Sequence, residues 1–458
     1  MKTWEDLKDN ENDKLNFVRS AISNYKTSPM YLEARTGYEY FCKRNTTIIQ
    51  YQKLLYTMSG EAVPDNFSAN YKFCNAFFPI FVTQENSYLL SNGVTFNENS
   101  TKDRIGGDDF DSILMDAGED ALWAGVAYGF WNLDHVEIFK ATEFVPLFGE
   151  EDGALHAGIR FWQIAPDKPL RATLYEEDGY TEYIWRKGKD GEELKPKTTY
   201  KQKVRQSIAD GVEIYNGENY LSFPIIPLWA NKIHQSELVG LREKIDGYDL
   251  IQSGFANDLD DASQIYWTVQ NAGGMDDIDL AKFIERMKVV HAAVVDENGS
   301  HAEAHTLDVP YAARQAGLAD LRDSLYRDAM ALDTDKISAG NITATAINAA
   351  YENLDLKCDG YEYCIVKFIK GILALIGVDD APTFKRTKMV NMSEETQMIL
   401  SAAQFLDDET VLNLLPFLNI DQVDSILKKK DKEEADRFAD LEDEIDGRGK
   451  ETDGQGTE

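Results

Sequence analysis

A chain of 458 residues, 43% of them apolar and 11% aromatic, can build two or three cores at roughly 150 residues per domain. Its formal charge of −33 excludes tight sequence-independent binding to nucleic acid, which needs clustered Lys and Arg to release counterions, without excluding DNA that slides past. The four cysteines, Cys42, Cys74, Cys358 and Cys364, make no Cys-x-x-Cys pair and fit reduced, structural thiols.

Met1-Lys2-Thr3-Trp4-Glu5-Asp6 turns acidic at once and reads as no signal peptide. The most apolar run, 368–378, carries Lys370 and has about half the length of a bilayer span. A soluble protein made in the cytoplasm is expected, with no membrane partner.

Residues 1–95 read as helical, most clearly at 12–25, 29–43 and 70–90, with Ser28-Pro29 in N-cap and N1 order. In the third segment Phe73, Phe77, Phe78, Phe81, Val82 and Tyr88 form a wide apolar face, and Pro79 is expected to kink the helix or move its start. A helix at 111–124 ends at Gly125. Strand-like runs follow around Tyr128, Phe130, Val136, Ile138, Ile159, Phe161, Leu174, Tyr183 and Trp185. Asp152-Gly153, Asp178-Gly179 and Asp190-Gly191 punctuate them as in an antiparallel meander. The segment 223–228, broken by Pro224 and Pro227, reads as an edge strand or linker. An α+β fold is expected for residues 1–230.

The stretch 236–341 reads as a long helical hairpin with a small α/β insertion. Its first helix takes Ser236 as N-cap and places Leu238, Leu241, Ile245, Tyr248, Ile251, Phe255 and Leu259 on one face for about six turns. The return helix runs over 310–332, with Ala312, Leu318, Leu321, Leu325, Ala329 and Leu332 inward. Between them 264–269 looks like a strand, 278–290 like a short helix, and 291–306 like two strands joined at Asn298-Gly299. A projecting hairpin tipped by a docking module points to assembly more than catalysis.

A polar loop, 333–341, leads into a helix over 343–378 that Gly360 and Gly371 are expected to kink. Residues 383–390 are strand-like and expected to return to the earlier sheet. Ser393 is the expected N-cap of the next helix, with Glu394 and Glu395 in its first turn. Further helices are expected near Asp408 and over 421–438. The acidic tail 439–458 is expected to be disordered.

No phosphate-binding loop, Gly-x-Ser-x-Gly elbow or His-Glu-x-x-His motif occurs, so no enzyme and no cofactor is expected. His301-Ala302-Glu303-Ala304-His305 could align three ligands on a strand, but no fourth lies nearby and a solvated face is the better reading; no metal is expected. The acidic groups Asp258, Asp260, Asp261 and Asp276, Asp277, Asp279 read as chance proximity among 80 Asp and Glu residues. Asn271-Ala272-Gly273-Gly274 reads as a flexible joint.

Four motifs in order then become specific. Asn70-Tyr71-Lys72-Phe73-Cys74-Asn75 leads to Phe77 and Tyr88-Leu89-Leu90. Phe223-Pro224-Ile225-Ile226-Pro227-Leu228 precedes Ile245-Asp246-Gly247-Tyr248, Ser253 and Asn257-Asp258. Thr343-Ala344-Thr345-Ala346-Ile347-Asn348 is followed by Leu354-Asp355-Leu356-Lys357. Glu409-Thr410-Val411-Leu412-Asn413-Leu414-Leu415-Pro416 comes last. With this order the chain resembles the portal proteins of tailed bacteriophages, in the branch found in long-tailed phages of Gram-positive hosts, over nearly its full length. Asn348 departs from the pattern, which has a basic residue there, and the segment after Phe417 is short.

The resemblance implies a portal fold. Its parts would be a wing over 1–230, a first stem helix over 231–263, a clip over 264–307, a second stem helix over 308–332 and a tunnel loop over 333–342. A long wing helix with return strand over 343–392 and a crown over 393–438 would complete it. It implies a homo-oligomeric ring of about twelve copies carrying roughly −400 in charge. Double-stranded DNA would pass without sequence specificity. Terminase, head-tail adaptors, and the major capsid and scaffolding proteins would be partners. The implied sites are the tunnel loop (Asp333, Thr334, Asp335, Lys336, Ile337, Ser338, Ala339, Gly340, Asn341) and the clip surface (Met275, Asp276, Asp277, Lys282, Glu285). Placement would be the virion, at the capsid portal vertex, and the host cytoplasm during assembly. Another viral head ring component and an acidic cytosolic hydrolase are the alternatives.

Overall fold

The computed structural model describes residues 1–56, 59–66, 68–201, 204–207, 211–214, 217–262, 266–270, 282, 301–305, 310–335, 344–386, 392–415, 423, 426–430 and 432. Two compact units emerge, residues 1–332 with 353–387, and residues 333–352 with 388–458.

Helices and an antiparallel meander build the first unit. Strands Phe144–Phe148, Leu155–Trp162, Leu170–Glu176, Gly179–Trp185 and Glu192–Thr198 pair in chain order, as the Asp-Gly turns predict. Helix Lys14–Tyr25 lays Phe17, Val18, Ile22 and Tyr25 on this sheet, against Val145, Ile159, Phe161, Leu174 and Tyr183. The next helix, Pro29–Phe41, starts as predicted: the Ser28 Oγ accepts from the Tyr31 amide at 3.3 Å and Pro29 takes a position that needs no N–H.

A second sheet orders Ile225–Trp229, Val126–Asn132 and His135–Lys140, so the proline-interrupted strand does lie at an edge. Helices Phe77–Leu90, Asp109–Ala124 and Ala344–Leu375 share one buried cluster with it. Gly125, at φ +91°, ends the second of these helices in the left-handed conformation that glycine adopts without strain. The long helix crosses close to the sheet: a Cβ on Gly129 would meet Phe368 Cζ at 2.5 Å, and one on Gly371 would meet Ile226 Cγ2 at 2.8 Å.

Several expectations are corrected. The segment 70–90 divides: 70–76 is not helical and the helix begins at Phe77, which leaves Pro79 in the first turn, where a missing N–H breaks no helical bond. Ser236 is not a helix cap. Its Oγ donates to the Trp123 carbonyl at 2.8 Å and accepts from the Leu238 amide at 3.1 Å, and after a turn at 237–241 the helix starts at Arg242. The long helix is continuous through Gly360 and Gly371, and at Gly371 a Cβ would press on Ile226. Strand Pro382–Phe384 pairs with Val94–Phe96 and forms a separate two-stranded sheet.

In the second unit, helix Met392–Ala402 contains Ser393 inside its first turn, so the N-cap assignment to that residue does not hold. Helix Asp408–Leu414 is capped by Asp407, whose Oδ2 accepts from the Thr410 amide at 3.0 Å. Residues 426–430 are helical; the rest of the expected 421–438 helix lies largely outside the described residues, and the tail 439–458 lies wholly outside them.

Candidate functional site

The root of the helical hairpin brings the first two family-like motifs together. Along the first helix, Arg242–Ala262, and the turn before it, the buried stripe steps by four residues through Leu241, Ile245, Asp249, Ser253 and Asn257. Its first two members are apolar and its last three are polar. Ile251 and Leu259, predicted to face inward, are 37% and 50% exposed.

The non-helical segment 71–75 accounts for the polar half. The amides of Asn75, Phe73 and Tyr71 donate to Asp249 Oδ1 at 3.0 Å, Ser253 Oγ at 3.0 Å and Asn257 Oδ1 at 2.7 Å. Alternate residues of an extended chain advance about 6.7 Å, and four helical residues advance about 6 Å, so three rungs stay in step. Apolar side chains at these helix positions would leave the amides without partners. Asp249 also accepts from Asn45 Nδ2 at 2.5 Å and Asn75 Nδ2 at 2.7 Å. Burial pushes its carboxyl above the ordinary range while those amides pull it back. One turn earlier, Asp246 accepts from the Tyr40 hydroxyl at 2.5 Å and the Thr47 hydroxyl at 2.7 Å.

The return helix, Tyr311–Asp328, is held to the first by polar and aromatic contacts. Lys244 Nζ donates to Ser324 Oγ at 2.6 Å and pairs with Asp328, Arg314 pairs with Asp258, and the rings of Phe255 and Tyr311 lie 5.5 Å apart. Leu325, Ala329 and Leu332 are buried and Tyr326 packs edge-on to Phe77 and Phe81, whereas Tyr311 and Ala312 are exposed. The hairpin is therefore dry at its root and wet farther out. Gln84 fixes its end by clasping both backbone groups of Leu332, accepting from the amide at 2.8 Å and donating to the carbonyl at 3.0 Å.

A buried ion cluster lies at the same root. Lys357 Nζ is 2.7 Å from Glu85 Oε2 and 3.0 Å from Glu237 Oε2. Burial pushes the Glu85 carboxyl up to about 7 against the pull of Lys357. Burial alone would lower the Lys357 ammonium, but the two carboxylates hold it above the usual lysine range.

Of the residues singled out from sequence, Asp333, Thr334 and Asp335 follow directly on the clasped Leu332, with the Asp335 amide donating to Asp333 Oδ1 at 3.3 Å. Lys336, Ile337, Ser338, Ala339, Gly340 and Asn341 lie outside the described residues, as do Met275, Asp276, Asp277 and Glu285; Lys282 is helical and exposed. Strands Tyr266–Gln270 and His301–His305 pair antiparallel, Tyr266 opposite His305 and Gln270 opposite His301. Among the described residues no group of three His, Cys, Asp or Glu side chains converges on a metal position. A groove of about 880 Å³ lined by Phe148, His156, Trp229, His234 and Lys367 has its histidines engaged. The His156 ring nitrogens lie 2.7 Å from Asp152 and 3.1 Å from Glu177, and His234 stacks on Trp229 at 3.8 Å.

The residues that sequence reasoning left without a role are Asp249, Glu85, Glu237 and Gln84, and Phe73, placed on an apolar helix face, acts instead through its backbone amide. A usable signal existed: polar residues at 249, 253 and 257 repeat at the helical spacing of the apolar face before them.

The family model for phage portal protein, SPP1 Gp6-like, matches residues 33–445. The chain belongs to this phage portal protein family. The portal protein of Bacillus phage SPP1 is 23% identical over 435 residues, spanning 88% of this chain and 83% of that relative. The portal protein of Clostridium phage phiCD119 (strain Clostridium difficile/United States/Govind/2006) is 27% identical over 229 residues. That match covers 48% of this chain, and the chain spans about half the length of that relative, 51%. Two solved structures are also similar. The neck of a native GTA particle computed with C12 symmetry has TM-score 0.42 at 11% identity, covering 75% of this chain and 90% of its own. The neck of an empty GTA particle computed with C6 symmetry has TM-score 0.44 at 12% identity, covering 74% and 90%. Portal-family membership gives the order of the motifs its meaning, and the ladder gives Ser253 and Asn257 of this portal-family chain a physical task.

Proposed function

We propose that this chain forms a ring of about twelve copies at one capsid vertex of the virion, assembled in the host cytoplasm. Double-stranded DNA is packaged and later ejected through its channel, and the ring serves as the platform joining head to tail. The single observation that carries this reading is the portal-family match across residues 33–445.

In this reading residues 1–230 are the wing and the two helices are the stem. Terminase, and later the head-tail adaptors, dock on the clip at 264–307, around Met275, Asp276, Asp277, Lys282 and Glu285. The loop 333–341 lines the channel, with Lys336 as an isolated phosphate contact. Residues 343–392 return to the wing and 393–438 form the crown. The motor's nucleotide chemistry belongs to terminase, and this chain acts as a structural and interaction protein, not an enzyme. A hairpin anchored at its root and wet farther out suits the presentation of a docking tip. A charge of −33 per copy suits a wall that repels phosphate and lets DNA slide.

Electron microscopy of the purified chain tests the assembly. Rings are expected; a monomer or compact dimer that never closes into rings, even at high concentration or with scaffolding protein, would refute it. Removing residues 333–341 is expected to leave rings intact and impair packaging or retention of DNA. Loss of rings without a packaging-specific defect would refute the assignment of that loop to the channel.

A further inference from the structure

Lys357 joins stretches of chain that are remote in sequence, and its two carboxylates are held in different ways. Glu85 sits mid-helix with its side chain 2% exposed, whereas the Glu237 side chain is 19% exposed. Glu237 also stands at the end of the loop 231–236, which Asn231 organises. The Asn231 Oδ1 accepts from the Ile233 amide at 3.1 Å and the Gln235 amide at 3.3 Å, while its Nδ2 donates to Glu237 Oε1 at 2.9 Å. At the loop's tip Ile233 is exposed and His234 holds φ +64°. Glu237 can regain water if this loop lifts; Glu85 cannot.

We propose that Glu237 and Lys357 form a releasable latch between the loop 231–236 and the long helix, with Glu85 as the standing counter-ion that keeps Lys357 paired when the latch opens. An open latch leaves a neutral Glu85–Lys357 pair inside, whereas opening without Glu85 would strand a buried ammonium. The loop leads into the Arg242–Ala262 helix, so the latch governs how firmly the hairpin root is held, independently of any ring. Glu85 is faced by Lys357, Cys358 and Tyr361 from the long helix and by Glu237 from the root. When Glu85 takes a proton, the lysine charge falls wholly to Glu237 and the latch tightens. Burial sets that change near neutral pH.

Hydrogen–deuterium exchange of the full chain at pH 8 and pH 6, corrected for intrinsic rates, tests the latch. Glu237→Gln is expected to speed exchange across residues 231–241 several-fold at pH 8 and leave 353–375 unchanged. The natural chain is expected to exchange more slowly there at pH 6 than at pH 8, and Glu85→Gln to be slow at both. Unchanged exchange in Glu237→Gln would overturn the proposal. So would loosening by Glu85→Gln as large as that by Glu237→Gln, or a natural chain indifferent to pH. Should Glu85→Gln fail to fold, the natural chain's pH pair and Glu237→Gln decide the matter.

Discussion

Asn257 accepts a hydrogen bond from the Tyr71 amide at 2.7 Å, across 186 residues of chain, and so anchors the first hairpin helix to a non-helical segment that no sheet claims. Asn257→Ala is expected to destabilise the fold by about 1–2 kcal/mol, because a partly buried amide loses its acceptor. Asp249→Ala removes the acceptor of the Asn75 amide together with those of two side-chain amides and should cost more. Urea unfolding of both variants checks the order; an equal or reversed effect would count against the ladder.

A Cβ on Gly129 would stand 2.5 Å from Phe368 Cζ and 2.6 Å from its Cε2. Gly129→Ala should cost about 1–3 kcal/mol through overpacking, and Phe368→Leu should recover part of that loss in the double variant. A double-mutant cycle of thermal unfolding measures the coupling, and strictly additive losses would contradict the packing argument.

Glu85 gives the stability a defined pH dependence. Its carboxyl is raised from 4.5 to about 7 in the fold, so between these values the folded chain holds a proton that the unfolded chain has released. The stability from this proton is complete below about 4.5 and is lost as pH rises through 7. Unfolding midpoints from pH 5 to 8 should therefore fall more steeply in the natural chain than in Glu85→Gln, and parallel profiles would exclude Glu85 as the source.

Asp380 works in the opposite sense. Its carboxylate accepts from the Asn97 and Glu98 amides, both at 3.2 Å, and from the Thr101 hydroxyl at 2.7 Å, at the start of helix Asn99–Arg104. The Thr101 hydroxyl and these amides hold the carboxyl down at about 2. The ordering it provides is present above the usual carboxylate range and is lost as pH falls toward 2. Asp380→Asn should raise hydrogen exchange over residues 97–104 at neutral pH, and unchanged protection there would dismiss the cap.

The meander was legible because Asp-Gly turns and alternating apolar residues are local signals, and helix Asp109–Ala124 was legible because Gly125 ends it. The segment 70–76 was not. Phe73 and Phe77 share a helical spacing, and only the acceptors on a helix some 180 residues later make the non-helical form preferable. The inward face of that helix was misread for a related reason: apolar periodicity places Ile251 and Leu259 inside, while the burial actually falls on Asp249, Ser253 and Asn257. Ser253 and Asn257 stood out through family resemblance, yet their task depends on a distant backbone that sequence does not bring near.

The ladder divides mutational tolerance unevenly between its two sides. Its donors are main-chain amides, which every residue except proline supplies, so positions 71 and 73 can change identity freely as far as these bonds are concerned. Its acceptors are side chains of fixed length, so 253 and 257 cannot. Random substitution should leave a sequence that looks variable at 71 and 73, proline apart, and constrained at 253 and 257.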